Sequence, residues 1–449
     1  MATTLFSVLC MLVFVAFFTT TLSHPGPRKN TNCLIIVLVD GVRWDYIKED
    51  EYKGFEKIAK HGVKAEYVDP IFPSNSYPNW YTIVTGKYAE SHGFVQNFMY
   101  DKVRNDIFKM SPSPNASHVH WWNGSEPLWI TAEKNGIRTG MYWWDGCQVT
   151  LSGITVSKCK NYTYYKKFDV NKDTKKAFLE ALDDCEKGDR RLGLVYYEPV
   201  DGFGHEFGPD SQERKMALKA IDSILTSVQE KIEKKKLKDK VNLVVVSDHG
   251  MANSNPDRVV PINISTPAIL DNIEMMLDKG SMSMIMPKEG KLDQLYRNLI
   301  ALGKKGLHIY KKDDIPNHYH FKNNNLVLPV LLVADQGFFI QRIPGNRMYP
   351  NNNIIYNGFH GYDPFVKNHT DMRGIFYARG PDFKKKYVSQ PLSMVDHYQI
   401  FCHLLGIQAL PNNGSWDKVK NMLRSSSGQL FPVKYLIVAI HIILIFCWY

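Results

Sequence analysis

Three short runs of apolar residues end abruptly in acidic or glycine-containing turns. They are Leu34–Val39, Leu192–Tyr197 and Leu243–Val246. Runs of this length without polar alternation are typical of strands that are buried on both faces of a parallel sheet. The carboxyl ends of such strands meet at one edge of the sheet, where ligands bind. We therefore expect the residues that follow these runs to lie close together in space.

Helical patterns alternate with the strands. The segments Glu51–Lys60, Thr174–Glu186 and Ser211–Lys235 predict surface helices, Gly374–Ala378 a further strand, and Ser393–Leu405 a closing helix. This alternation predicts an α/β fold with a mixed, mostly parallel central sheet and helices on both faces. With 449 residues and 44% apolar content, the chain can bury the core of one large domain.

Potential metal ligands and one hydroxyl stand in a regular order along the chain, several of them just after the apolar runs. They are Asp40, Ser76, Asp201, His205, Asp248, His249 and His360. Asp201 and His205 are four residues apart and would face the same way on a helical turn. Aspartates and histidines that converge at one sheet edge suit two zinc ions bound by nitrogen and oxygen.

These residues lie in motifs that resemble the ectonucleotide pyrophosphatase/phosphodiesterase family of the alkaline phosphatase superfamily. The matching stretches span about residues 33–410 and are Val39–Gly41, Phe72–Asn79, Val84–Gly86, Ser91–Gly93, Asp201 with His205, Ser247–Met251 and His360–Tyr362. Each motif alone is weak, but all of them in this order are specific. The resemblance implies an alkaline-phosphatase-like fold.

Within that family the chain is more similar still to the choline-specific glycerophosphodiesterase branch. The shared features are Trp121–Trp129, a serine as nucleophile, and Leu410–Trp416. This similarity implies hydrolysis that releases phosphocholine from glycerophosphocholine and lysophosphatidylcholine. Nucleotide phosphodiester or pyrophosphate bonds, or sphingomyelin, are the alternative substrates for the same two-zinc site. A catalytically inactive surface-binding protein is a third reading, which the complete ligand set disfavours.

The resemblance also assigns a role to each ligand. Ser76 is the implied nucleophile, activated by a metal ion on its oxygen. One zinc ion would take Asp40, Asp248 and His249 and touch Ser76, and the other would take Asp201, His205 and His360. Two such ions clamp the attacking and leaving oxygens of an in-line displacement. Asn97 matches a family asparagine that hydrogen-bonds a non-bridging phosphate oxygen.

A quaternary ammonium group is recognised by aromatic faces and a nearby carboxylate, since it donates no ordinary hydrogen bond. Two stretches offer such residues, Tyr142–Asp145 and Tyr196–Glu198. We expect Tyr196, Trp144 and Asp145 to bind the choline head group. Aromatic residues at strand ends also pack in the hydrophobic core or at the rim of a site without binding a ligand. This alternative stays open for each of the three residues.

The two ends of the chain resemble targeting segments. Residues 1–23 contain an apolar stretch, which predicts a signal peptide. Residues 426–449 begin with small residues and continue into an apolar run from Leu430, which predicts a glycosylphosphatidylinositol (GPI) anchor signal. The catalytic domain would then span 24–425, with an irregular insertion at about 252–370. Sequons at Asn115, Asn123, Asn161, Asn263, Asn368 and Asn413 fit an enzyme on the extracellular face of the plasma membrane, or a secreted one.

The cysteine residues and the net charge give further expectations about disulfides and partners. In an oxidising compartment Cys147 and Cys159 are expected to pair, while the pairing of Cys33, Cys185 and Cys402 stays open. The cysteine expected to link two copies in the choline-specific branch is missing around Asn421, which leaves a homodimer without a disulfide as the possible assembly. The net charge of +10 comes with no nucleic-acid-binding motif, so we expect no nucleic-acid partner.

Overall fold

A computed structural model describes residues 31–424 except 263–266, 342, 344, 346, 353 and 368. The predicted signal peptide, the predicted anchor signal and the sequons at Asn263 and Asn368 lie outside the described residues. No helix within the described ranges is both long and apolar enough to cross a membrane.

An eight-stranded sheet forms the centre of the molecule. Its strands, in spatial order, are Tyr387–Ser389, Val63–Ala65, Phe376–Arg379, Val241–Val246, Cys33–Val39, Leu192–Tyr197, Thr139–Tyr142 and Lys158–Lys160. Phe376–Arg379 is antiparallel to both of its neighbours, and the other strand pairs are parallel. The predicted mixed, mostly parallel sheet is therefore confirmed.

The register of the three central strands brings their polar ends together. Val39 lies opposite Tyr197, and Leu38 lies opposite Val246. Every residue of these strands is buried, because helices cover the sheet and leave no face for polar side chains. Asp40, which follows Val39, consequently emerges at the same edge as the residues after Val246.

Helices pack on the sheet in two groups. Gln212–Lys234 contacts both Lys53–His61 and Val170–Lys187, while His397–Leu405 contacts both the central strand Cys33–Val39 and the helix Ser76–Thr85. The remaining α-helices are Ala89–His92, Val119–Trp122, Leu128–Lys134, Pro199–Phe207, Pro267–Leu270, Leu292–Ala301 and Trp416–Val419. Short 3-10 turns are Tyr46–Lys48, Pro114–Ser117, Tyr165–Lys167, Pro256–Arg258, Lys312–Asp314, Asn317–Tyr319, Met394–Asp396 and Lys420–Met422.

The predicted helices are present, with small shifts at their ends. The long helix begins at Gln212 because the Ser211 side chain accepts a hydrogen bond from the backbone of Arg214 and caps it. The closing helix begins with a 3-10 turn that Ser393 and Asp396 cap reciprocally.

The segment 252–370, predicted to be irregular, contains a second sheet, so that prediction was wrong. Its strands, in spatial order, are Leu307–Lys311, Val330–Ala334, Met282–Pro287, Ile273–Leu277 and Met348–Tyr349. Val330–Ala334 and Met282–Pro287 are buried throughout, and they belong partly to a separate apolar cluster with Leu295 and Leu299 of the neighbouring helix. Loops rich in Asn, Pro and Lys separate these short apolar runs and mask their pattern in the sequence.

Four two-stranded pairs complete the structure. They are Val68–Asp69 with Leu392–Ser393, Phe98–Asp101 with Asp106–Lys109, Ala252–Asn253 with Gly358–Phe359, and Val259–Pro261 with Phe339–Gln341. The pair at Gly358–Phe359 matters for the site, because His360 follows it directly.

The structure contains the expected disulfide between Cys147 and Cys159 and a second one between Cys33 and Cys185. The second bond joins the first residue of the central strand to the helix Val170–Lys187. Cys402 remains as a buried free thiol.

Candidate active site

One group of proposed ligands surrounds the Nε2 atom of His249. This atom lies 3.4 Å from Asp40 Oδ1, 3.3 Å from Asp248 Oδ2 and 3.3 Å from the hydroxyl of Ser76. Three of these residues follow the apolar strands of the central sheet, and Ser76 begins the helix Ser76–Thr85. The structure thus brings together the residues that the resemblance assigned to one metal ion.

A second group is built on the helix Pro199–Phe207, which places Asp201 and His205 on one side. His205 Nε2 lies 3.5 Å from Asp201 Oδ2 and 3.1 Å from His360 Nε2, and His360 Nε2 lies 3.6 Å from Asp201 Oδ1. The rings of His249 and His360 stack at 3.6 Å, so the two groups form one continuous cluster.

Gly41 permits the close approach between the two groups. Its φ of +69° favours glycine, and a Cβ atom there would lie 2.9 Å from the Cα of Asp201. An Asp-Gly sequence after the central strand is therefore required for Asp40 and Asp201 to share the edge.

Each of the three histidines is oriented by a backbone carbonyl. The Nδ1 atoms of His205 and His249 lie 2.8 Å from the carbonyls of Gly358 and Gly250, and that of His360 lies 3.0 Å from the carbonyl of Ser74. A carbonyl only accepts, so each Nδ1 carries the proton and each Nε2 presents its lone pair to the cluster. This arrangement is the usual support for metal-binding histidines.

The electrostatics of the cluster call for a cation. Burial, then repulsion from Asp248, raises the pKa values of Asp40 and Asp201 well above the usual range. Burial lowers the pKa of His205 to about 4 and also lowers that of His360. These histidines are neutral at pH 7, so they leave the negative charge of the carboxylates uncompensated.

Two buried carboxylate oxygens of the cluster, Oδ1 of Asp40 and Oδ1 of Asp201, form no hydrogen bond within the described part of the chain. Unpaired buried oxygens are costly unless a cation binds them. Carboxylate oxygens and imidazole nitrogens at these separations fit divalent metal ions that accept both ligand types. The residues present are therefore a candidate metal centre.

The loop before Ser76 is braced by Asn79. Its side chain accepts from the backbone of Ile71 at 2.9 Å and donates to the carbonyl of Pro73 at 3.0 Å. Ser74 donates to the carbonyl of Tyr362 at 2.8 Å and faces away from the cluster. Ser76, in contrast, lines the cleft with 7% of its surface exposed, as a nucleophile must.

Asn97 lies beside Ser76 in the same cleft. Its Oδ1 accepts the backbone N–H of Tyr77 at 3.0 Å, which fixes the orientation of the amide group. This bond leaves Nδ2 of Asn97 as the group that can donate to a phosphate oxygen, and that contact stays a prediction.

A cleft of about 410 Å³ opens above the cluster. Tyr196 lines it and donates its hydroxyl to Asp40 Oδ2 at 2.6 Å, while Trp80 donates Nε1 to Asp248 Oδ2 at 2.6 Å. The rings of Trp80 and Tyr196 pack edge to face at 4.7 Å. The cleft wall and the ligand cluster therefore share residues: Tyr196 supports Asp40, and its expected contact with substrate stays a prediction.

Trp144 and Asp145 do not line this cleft, which corrects their assignment to the choline pocket. They lie behind Tyr77 and are each 1% exposed. Asp145 accepts from the hydroxyl of Tyr77 at 2.6 Å, from Ser111 Oγ at 2.8 Å and from Gln148 Nε2 at 2.8 Å. A carboxylate whose oxygens are occupied in this way orients its neighbours and is not available to a ligand cation.

Glu198 takes the position that had been expected for Asp145. It lines the cleft and accepts from the hydroxyl of Tyr162 at 2.9 Å, and the rings of Tyr162 and Tyr196 are 6.2 Å apart. Burial raises the pKa of Glu198 to about 7. The stretch Tyr196–Glu198 was the sequence signal for this carboxylate, whereas Tyr162 had none.

The segment 252–370 supplies the opposite wall. Asp278 and Lys279 lie in the turn between two strands of the second sheet, and Tyr356 precedes His360. Lys279 donates to the side chain of Asn352 at 2.6 Å and to the carbonyl of Ile354 at 2.6 Å, so it ties down the loop that carries Tyr356. No sequence pattern pointed to these residues, because the turn is far from every motif.

Four predicted glycosylation sites fall on described residues. Asn123, Asn161 and Asn413 are exposed, and Asn115 is partly exposed. Their positions are compatible with modification, which stays a prediction.

Comparisons with known proteins agree with this geometry. The family described as type I phosphodiesterase / nucleotide pyrophosphatase matches residues 34–363. Ectonucleotide pyrophosphatase/phosphodiesterase family member 7 of Mus musculus is 34% identical, covering 94% of each chain. A bis(5'-adenosyl)-triphosphatase of Xenopus laevis is 32% identical over 88% of this chain and 82% of its own.

Solved structures of similar proteins share the fold of this chain. Human ectonucleotide pyrophosphatase/phosphodiesterase 5 superposes with a TM-score of 0.77 at 32% identity, covering 88% of this chain and all of its own. An inactive variant of the murine protein in complex with AMP gives a TM-score of 0.76 at 31% identity over 88% of this chain and 100% of its own. The chain, with its phosphodiesterase motifs gathered at one sheet edge, belongs to the ectonucleotide pyrophosphatase/phosphodiesterase family.

Proposed function

We propose that the chain is a zinc-dependent phosphodiesterase that releases phosphocholine from glycerophosphocholine and lysophosphatidylcholine. Membership of a phosphodiesterase family supports the reaction class. The observation that carries the choline assignment is the cleft wall of Tyr162, Tyr196 and Glu198 beside Ser76. Aromatic faces with one carboxylate bind a quaternary ammonium group that cannot donate hydrogen bonds.

Two zinc ions would occupy the cluster. Asp40, Asp248 and His249 would hold one ion, and Asp201, His205 and His360 the other. When bound, the ions would favour the ionised form of the Ser76 hydroxyl and offset the negative charge of the phosphate.

The chain's own residues carry out the displacement. Ser76 Oγ bonds to phosphorus while the bond between phosphorus and the glycerol oxygen breaks, and the glycerol or monoacylglycerol leaves with a proton. Asn97 orients a non-bridging oxygen of the phosphate. Water then attacks phosphorus, breaks its bond to Ser76 and releases phosphocholine.

Nucleotide hydrolysis is the second candidate. The murine relative with AMP bound has the same fold, and the aromatic residues of the cleft offer surfaces on which a base can stack. The complete cluster would serve both substrates equally, so only the cleft walls separate the two activities.

A substrate panel tests the proposal. The value of kcat/KM is measured for glycerophosphocholine, lysophosphatidylcholine, sphingomyelin and a nitrophenyl nucleotide ester, with glycerophosphoethanolamine as the control for the methyl groups. We expect the first two substrates to exceed the nucleotide ester and the ethanolamine control by roughly tenfold or more. The nucleotide ester carries no cation, and the ethanolamine ammonium is more strongly hydrated and lacks the methyl groups that contact the aromatic faces. A faster reaction with the nucleotide ester would overturn the choline assignment and leave the phosphodiesterase in place.

We also propose that residues 426–449 direct attachment of a GPI anchor, which would place the enzyme on the extracellular face of the plasma membrane. Treatment of expressing cells with a phosphatidylinositol-specific phospholipase should release the active enzyme into the medium. Retention on treated cells would contradict the anchor.

A further inference from the structure

A second group of histidine and carboxylate side chains lies away from the cleft. Its members are Asp106, at the start of the second strand of the hairpin Phe98–Lys109, and His118 and His120, just beyond it. Asp106 Oδ2 lies 2.6 Å from His118 Nδ1 and 3.2 Å from His120 Nε2. None of the three residues lines the catalytic cleft.

The carboxylate of Asp106 is held in place from its other side. Its Oδ1 accepts from Asn115 Nδ2 at 2.9 Å and from its neighbour's backbone, Ile107 N–H, at 2.8 Å. Both donors act on the same oxygen and leave Oδ2 directed to the histidines. Such fixed orientation by outer hydrogen bonds is characteristic of carboxylates that bind metal ions.

His120 is the member that a simple ion pair does not explain. Its ring packs on Trp121 with centroids 4.4 Å apart. Its Nε2 atom is buried and forms no hydrogen bond within the described part of the chain, although Asp106 Oδ2 is 3.2 Å away. A buried nitrogen without a hydrogen bond costs stability unless another partner binds its lone pair.

We propose that Asp106, His118 and His120 bind a zinc ion. Two imidazole nitrogens and one carboxylate oxygen are ligands that zinc accepts at about 2.0–2.2 Å, and ligands bound in this way lie roughly 3–3.5 Å from one another. The separation of 3.2 Å between Asp106 and His120 already meets this spacing. The three ligand atoms lie within 4.8 Å of one another, and the side chain of His118 is 49% exposed, which leaves room for water as the fourth ligand.

The ion would cross-link two segments that already contact each other through the hydrogen bond from Asn115 to Asp106 and the rings of Phe108 and Trp121. Asp106 belongs to the hairpin, while His118 and His120 belong to the turn and helix that follow Pro114–Ser117. Phe98, on the other strand of the hairpin, and Met110, directly after it, line the catalytic cleft. Zinc at this position would hold one wall of the cleft without taking part in the reaction.

The test is the zinc content of the full-length chain at a fixed free zinc concentration. His120→Gln and Asp106→Asn should each lower the content by about one zinc per chain relative to the unsubstituted protein, because two protein ligands alone hold zinc weakly. The exposed His118→Gln should show the same loss with little risk to folding. The difference between variants is decisive, so the result does not depend on how many ions the catalytic cluster holds.

His308→Gln is the matched control, because His308 pairs with Asp335 at 2.7 Å on the surface and no third candidate ligand lies beside them among the described residues. It should leave the zinc content unchanged. Circular dichroism checks the fold, and an aryl phosphodiester should be hydrolysed at the usual rate by all four variants. An unchanged zinc content in His118→Gln, or an equal loss in His308→Gln, would overturn the proposed site.

Discussion

The ligand cluster and the cleft wall above it are built in different ways. Asp248 and His249 in the cluster are completely buried, and carbonyls or indole and tyrosine donors hold the ligand side chains in place. The cleft wall includes Met110 and Tyr164, which are 37% and 38% exposed, and comes from several separate segments. The comparison teaches that buried hydrogen bonds fix the proposed ligands, whereas the cleft wall combines Tyr196 and Glu198 at a strand end with exposed side chains from other segments.

The largest effect is expected from the nucleophile. Ser76→Ala should reduce turnover of every phosphodiester by roughly 10⁴-fold or more, because no other hydroxyl replaces the attacking oxygen. Zinc content should stay the same, since the proposed protein ligands are intact. Steady-state rates and elemental analysis check both statements.

Ser74→Ala is the matched control, because Ser74 donates to the carbonyl of Tyr362 and points away from the cluster. It should retain most of the activity. If Ser76→Ala were active and Ser74→Ala inactive, Ser74 would be the nucleophile.

Removal of one ligand should couple metal loss to activity loss. Asp248→Asn and His360→Ala each leave a proposed zinc ion with two protein ligands, and incomplete sites bind zinc weakly. We expect zinc content to fall by about one ion per chain and activity by roughly 100-fold or more. Either variant with full zinc and a near-normal rate would remove that residue from the ligand set.

A change in the cleft wall should instead act on selectivity. Glu198→Gln keeps the shape of the side chain but removes the negative charge that, at a pH above its raised pKa of about 7, would face a choline cation. The KM for glycerophosphocholine should rise roughly tenfold, equivalent to about 1.4 kcal/mol. The KM for an aryl phosphodiester and the zinc content should not change.

Tyr162→Phe provides the control for this variant, because it removes the hydroxyl that donates to Glu198 and keeps both the ring and the carboxylate. It should have a smaller effect than Glu198→Gln. Equal losses on cationic and neutral substrates would show that Glu198 only supports the wall.

The smallest kinetic effect is expected from a residue that lies behind the cleft wall. Trp144 is 1% exposed and does not line the cleft. Trp144→Phe should lower the free energy of unfolding by about 1–3 kcal/mol through the space it leaves, while KM for choline esters changes by less than about twofold. Urea unfolding followed by fluorescence and the same kinetic assay measure the two quantities. A large, choline-selective rise in KM would restore Trp144 to the binding site.

The residues of the proposed metal cluster could be found in the sequence because their signals are local. Asp40 and Asp248 directly follow apolar strands, and Asp201 with His205 shows helical spacing. The choline pocket was harder, since aromatic residues at a strand end give the same pattern whether they face a cleft or the core. Trp144 with Asp145 and Tyr196 with Glu198 looked alike in the sequence, and only the second pair reached the cleft.

The sequence by itself indicated the central sheet, the family and the residues proposed to act on the phosphodiester, because buried strands and the turns after them must keep short, characteristic patterns. The tertiary structure alone decided which side chains share the cleft. Asp278 and Lys279 enter it from a second sheet, and Tyr162 enters from a loop that follows the disulfide at Cys159. Such contacts join residues far apart along the chain, and no local periodicity records them.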